Sequence, residues 1–237
     1  MKDLLKTKGG VQLTEFGGPL KRRTFIKYAG ISASAVALIV TGCIDDDDDL
    51  IKNGVNLGSG DTGILNYAYA LEQLEAAFYT TVVSNVAFAS TFTAEEQSIL
   101  IDIRDHEIIH REFFKTALGS NAIQDLEVDF SAVNFSDRAS VLNTAKTFED
   151  LGVSAYNGAG NLLVDVNLLL VAGKIVSVEA RHAAAIRDLL NPKSADFAGD
   201  DVVDASGLDV ALMPSEVLAA ADPFIKTKIN GSNLPTS

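Results

Sequence analysis

Two pairs of residues, Glu107/His110 in DHEIIHREFF and Glu179/His182 in VEARHAAAIR, are each spaced i, i+3. On a helix this spacing separates two side chains by about 60° in azimuth, so each pair projects to one side. Two other stretches carry an acid followed two helical turns later by a tyrosine: Glu72 and Tyr79 in ALEQLEAAFY, Glu149 and Tyr156 in FEDLGVSAY. Each of these pairs also shares a face. Ile103, Phe114, Ile175, Val178 and Ile186 lie on or near the same faces, which turns the polar groups toward a core. Four unpartnered carboxylates in one core would repel and raise one another's pKa. Two divalent cations remove that conflict, and carboxylate and imidazole ligands suit iron or manganese, and also zinc.

The order along the chain is Glu/Tyr, Glu-x-x-His, Glu/Tyr, Glu-x-x-His, a two-fold repeat of a helix pair. The sequence has three histidines; the third, His106, is offset by about 100° from Glu107 and belongs beside the site or at the surface rather than among its ligands. Glu75 competes with Glu72 from an adjacent face. Arg181, next to His182, is a candidate partner for an acid.

The helices that must carry these residues are readable. Asp61 suits an N-cap. Apolar residues then recur at helical spacing from Ile64 to about residue 89. Thr93-Ala-Glu-Glu96 is a capping box opening a second helix that runs to about Leu118, with Gly119 placed to end it. Residues 119–135 form a long connection in which Leu126, Val128 and Phe130 alternate with polar residues, as in an extended segment lying on a surface. Ser136 or Asp137 starts a third helix reaching about Ala159, where Gly158 and Gly160 loosen its end. A fourth runs from about Asn167 to Leu190 and stops at Asn191-Pro192. An acidic loop, 193–213, precedes a short fifth helix from Pro214 to about Thr227. The fold class is therefore all-α: a four-helix bundle with short connections within each half, a long crossover between the second and third helices and a short C-terminal helix.

The repeated constellation resembles the ferritin-like di-iron carboxylate superfamily. The phrases LEQLEAAFY, HEIIH and EARHAA look most like the bacterial ferritin-like-domain proteins that share a family with plant desiccation-related proteins. The resemblance covers about residues 61–228. It implies that Glu72, Glu107, His110, Glu149, Glu179 and His182 ligate two iron (or manganese) ions, with Glu107 and Glu149, or their symmetry mates, as bridges. It also implies that Tyr79 and Tyr156 hydrogen-bond the ligating carboxylates or pass electrons. No CxxC rubredoxin module, such as rubrerythrins carry, is present.

Charge is unevenly placed. Residues 1–42 hold seven Lys/Arg against two acids, and residues 43–237 hold 12 against 30. So acidic a body repels phosphate backbones, which excludes nucleic acid as a partner. The stretch KRRTFIKYAGISASAVALIVTGC, Lys21 to Cys43, has a basic flank, a short apolar segment and small residues at its end, as in a signal peptide. Arg22-Arg23 with Phe25-Ile26-Lys27 resembles a twin-arginine export signal. Val40-Thr41-Gly42-Cys43 resembles a bacterial lipobox, in which the cysteine is lipidated. Cys43 is the only cysteine, which rules out an intramolecular disulfide. Asp45–Asp49 is a solvated spacer that also resembles surface-sorting tracts of Gram-negative lipoproteins. No apolar run is long enough for a transmembrane helix.

The expected organisation is a signal peptide at 1–42, an acidic and Gly-containing linker at 43–60, the helical domain at 61–230 and a tail at 231–237. The expected partners are metal ions, a membrane reached through Cys43, and a second copy of the chain in a homodimer. The expected location is the periplasmic or surface side of the cell envelope. Two functions compete: an oxidoreductase acting on iron(II), peroxide or oxygen, and a metal-sequestering or stress-protective envelope lipoprotein without turnover.

Overall fold

The computed structural model describes residues 54–237. The signal peptide, Cys43 and the aspartate tract lie outside them. Six α-helices, two short strands and single 3-10 turns make up the described chain: β1 (Val55–Asn56), α1 (Gly60–Ser84), α2 (Phe88–Thr91), α3 (Ala94–Leu118), α4 (Arg138–Gly160), α5 (Val166–Leu190), α6 (Pro214–Ala221) and β2 (Ile229–Asn230). The long helices α1, α3, α4 and α5 form an all-α, ferritin-like bundle. No helix among the described residues is long and apolar enough to cross a membrane.

The caps set the directions of these helices. Thr93 closes its capping box with Glu96, so α3 begins where the sequence predicts. Gly119 ends α3 at φ 54°, a conformation that suits glycine. Asp137 caps α4 through the amide of Ser140, and Asp165 caps α5 through that of Asn167. Asn66, near the start of α1, donates to the carbonyl of Asn121 just past α3, and its own carbonyl accepts from the amide of Ile123. Those two helices are thus antiparallel. Arg138 at the start of α4 reaches the carbonyl of Leu189 at the end of α5, so that pair is antiparallel too. Arg138 also binds Glu96 at the start of α3. Helices α3 and α4 therefore run in the same direction, and residues 122–137 cross the length of the bundle between them. Leu126, Val128 and Phe130 of this crossover pack on the main core, and Val128 bridges to Ile225.

Four boundaries differ from expectation. Asp61 is not the N-cap of α1; Ser59 holds that position, and the Asp61 carboxylate instead accepts the amides of Val164 and Asp165 at the entry to α5. Helix α1 ends at Ser84 rather than near 89, because Asn85 turns the chain by accepting the amide of Ala87, and α2 makes a separate single turn. Helix α6 stops at Ala221, short of Thr227: Pro223 cannot donate to a helical ladder, and a 3-10 turn spans Asp222–Phe224. The segment from Val55 to Leu57 is also no free linker. It pairs in parallel with Ile229–Asn230, and Leu57 and Leu234 are both buried.

The main apolar cluster includes Leu74, Phe78, Leu100, Ile103, Phe148 and Ile186, and α6 adds Val217 and Ala221 to it. A smaller cluster, with Phe114, Leu118, Tyr156 and Ile175, lies toward the end of the bundle where α3 and α4 finish. Along α3 and α5 the two clusters are separated by Glu107/His110 and Glu179/His182, which puts a polar layer between two apolar ones.

Candidate metal centre

Each long helix delivers its residues to that layer. Glu72 comes from α1, Glu107 and His110 from α3, Glu149 from α4, and Glu179 and His182 from α5. All four carboxylates are wholly buried, and His110 and His182 are 7 % and 5 % exposed. The six residues form two overlapping tetrads, Glu72/Glu107/His110/Glu179 and Glu107/Glu149/Glu179/His182, each with one ligand atom per residue within 4.8 Å of the others.

Glu107 and Glu179 belong to both tetrads. The Glu107 side chain places Oε1 at 2.7 Å from His182 Nδ1 and Oε2 at 3.4 Å from His110 Nδ1. Glu179 does the converse, with Oε1 at 2.9 Å from His110 Nδ1 and Oε2 at 3.9 Å from His182 Nδ1. These two carboxylates are therefore shaped to bridge. Glu149, expected with Glu107 or their symmetry mates as a bridge, belongs to one tetrad only. Its symmetry mate is Glu72.

The tyrosines act reciprocally. Tyr79 on α1 donates its hydroxyl to Glu149 Oε1 on α4, and Tyr156 on α4 donates to Glu72 Oε1 on α1. Each of these two glutamates is thereby held by one oxygen, and its Oε2 is left without a hydrogen-bond partner. Burial, reinforced by the charges of Glu149 and Glu72, holds both phenols well above their usual pKa, so they remain donors.

Eight atoms at this centre are buried without a hydrogen-bond partner: Glu72 Oε2, both oxygens of Glu107 and of Glu179, Glu149 Oε2, and Nδ1 of His110 and His182. They lie close together without hydrogen-bond geometry, as ligands do when they point at a common ion rather than at one another. Such a set is costly unless a cation satisfies it. Without a cation, protons must do so. Burial raises Glu72 to about 6 and Glu179 well above its usual value. Burial alone would lower His182, but the carboxylates of Glu149 and Glu107 outweigh it and push the imidazole up to about 11. Glu107, lying between both imidazoles, falls to about 2 despite its burial.

His106 meets the site from one side. Its ring stacks on that of His182 at 11° between planes, and its Nδ1 lies 2.9 Å from His182 Nε2. This contact orients the His182 ring with Nδ1 inward. The repeat offers no equivalent on the other half, since Val178 occupies the matching position. Glu75 is buried against the site, facing Gly152, yet belongs to neither tetrad.

A family model described as ferritin-like domain matches residues 60–192. The chain belongs to the ferritin-like domain family. No curated protein matches it. The matched residues of the ferritin-like domain run from the first residue of α1 to just past α5, and so contain every member of both tetrads.

Sequence reasoning missed one residue of structural weight. Arg187, 3 % exposed, makes a paired contact with Asp150 and another with Asp201, and also donates to the carbonyl of Asp196. It fastens the 193–213 loop to α4 and α5. Arg181, the arginine expected to pair with an acid, is exposed and pairs with no acid among the described residues. The available signal was that Arg187 follows Ala183 and Ile186 on the apolar face of α5, whereas Arg181 does not.

Proposed function

We propose that this ferritin-like chain is a dimetal-carboxylate oxidoreductase that holds two iron or manganese ions and acts on iron(II), peroxide or dioxygen. The observation that carries the reading is the convergence of eight unpartnered buried ligand atoms, with Glu107 and Glu179 each offering one oxygen to each half. Oxygen and imidazole donors fit iron or manganese, and two divalent ions would neutralise four carboxylates. A bound metal pair supplies two electrons to an oxidant. The chain's own residues do the rest. Glu72, Glu149, His110 and His182 complete the two halves, Tyr79 and Tyr156 fix the terminal carboxylates, and the apolar layers on either side keep bulk water out.

The proposed setting is the cell envelope. The twin-arginine-like Arg22-Arg23, the apolar segment and the lipobox-like Val40-Thr41-Gly42-Cys43 support export and acylation at Cys43. Cys43→Ser should move the protein from the membrane to the soluble fraction, and mass spectrometry finding an unmodified Cys43 in mature wild type would contradict the anchor.

Anaerobic loading with iron(II), followed by mixing with hydrogen peroxide or dioxygen, tests the redox reading. The expected result is a change in the absorption spectrum that Glu179→Gln and His182→Ala abolish. If about two ions bind but neither oxidant changes the spectrum, sequestration is the function.

A further inference from the structure

One helical turn from the centre, on the side of the smaller apolar cluster, the four long helices line a partly open cavity of about 30 Å³. Ala68, Phe114, Ala155 and Tyr156 line its inner part, and the rim includes the partly exposed Leu65, Leu163 and Leu168. Ala68 stands one turn before Glu72, Phe114 one turn after His110, and the Tyr156 hydroxyl is bonded to Glu72. The cavity thus ends against Glu72 and the tyrosine that holds it. Outside the rim the chain stays apolar and open to solvent, with Val164 85 %, Val166 67 % and Leu170 65 % exposed.

Size and lining restrict the occupant. A water needs about 10–15 Å³, so the space suits two or three atoms of the second row and nothing drug-sized. Walls of this kind disfavour ions and favour a small uncharged molecule, since apolar cavities stay dry. Tyr67 and Tyr156 are the two lining residues that carry a polar group, and the Tyr156 hydroxyl is already bonded to Glu72.

We infer that this cavity is the docking and entry site for dioxygen, separate from the route of the charged metal ions. The inference rests on the redox reading of the centre and names the substrate of that same site.

Xenon is a probe of dry apolar cavities that needs no metal. Crystals of the metal-free mature protein pressurised with xenon should show a xenon atom between Ala68, Phe114 and Tyr156. Ala172→Leu, a substitution at a partly exposed lining position, should exclude it, whereas Leu168→Ala should retain it. In protein loaded with iron(II), Ala172→Leu should slow oxidation by dioxygen about tenfold while leaving metal stoichiometry unchanged, and Leu168→Ala, which widens the rim, should speed it. An empty cavity in pressurised wild type overturns the inference, as does an unchanged dioxygen rate in a variant that excludes xenon. If xenon binds but loaded wild type ignores dioxygen while reacting with peroxide, the dioxygen assignment fails alone; if it ignores both oxidants, the redox reading fails with it. Failure of the cavity alone shows as an empty site in a protein that still reacts.

Discussion

At the scale of single residues, the division of labour between Glu72 and Glu75 is decided by where each carboxylate points. Both are buried in α1, three residues apart. Glu72 is tied by Tyr156 and aims its free oxygen at His110, 3.4 Å away. Glu75 lies outside the tetrads, and burial, with the charges of Glu179 and Glu107 added, holds it well above the carboxylate range. Glu75→Gln should therefore keep about two metal ions per chain, while Glu72→Gln should lose the ion on the His110 side, as read by metal analysis after desalting. Equal losses in the two variants would contradict the assignment. Tyr156→Phe should weaken metal binding about 10-fold or more, through loss of a contact that orients Glu72; unchanged affinity by competition with a chelator would show that the bond only packs. All six residues of the two tetrads were legible in the sequence, because i, i+3 and i, i+7 spacings survive on any straight helix. Bridging was not legible. Which glutamate spans two halves depends on how the four helices rotate about their axes, and spacing within one helix carries no such information. The same limit hid the contact of His106 with His182, which joins α3 to α5.

At the scale of elements, sequence signals worked where the cap is local. Thr93, Gly119, Asp137 and Asn191-Pro192 act on their own turn, so α3, α4 and α5 fall within a residue or two of expectation. They misled where the partner is distant: Asp61 looks like a cap but serves the turn before α5, more than a hundred residues away. The short β1–β2 pair is likewise a contact between the two ends of the described chain, with nothing in VNL or IN alone to announce it. Arg187 is the strongest tie of this long-range kind. Its loss would leave Asp150 without its cation and Asp201 with Lys146 alone. Arg187→Met should lower unfolding free energy by about 1–2 kcal/mol and expose the 193–213 loop to protease; a change in urea midpoint within error would show that the loop holds by other means. Gly158 marks where this strap crosses α4, since a Cβ there would lie 1.8 Å from the carbonyl oxygen of Leu212. The glycine that seemed to loosen a helix end instead permits a close crossing.

At the scale of the whole molecule, the metal centre sets how stability depends on pH. In metal-free protein, Glu72, Glu75, Glu149, Glu179 and both imidazoles bind protons more tightly folded than unfolded, and Glu107 alone goes the other way. Groups with raised pKa stabilise below their unfolded values, and that contribution is lost as pH rises. For His182 the loss runs from about its ordinary 6.5 up to about 11, and for Glu72 from 4.5 to about 6. The metal-free melting temperature should therefore fall from pH 5 toward pH 9. Loss of the Glu107 contribution is confined to pH below its ordinary 4.5. Metal replaces those protons, so the loaded protein should melt higher and hold its melting temperature across the same range. Parallel pH curves for the two forms would mean that the ions sit elsewhere. The most direct test of the central claim is an anomalous-scattering map from crystals of protein purified without chelator from its native host. The account predicts two metal peaks per chain, both in contact with Glu107 and Glu179, one beside His110 and the other beside His182. A map with no peak inside the bundle, or a single peak bound by only one of the two histidines, would contradict it.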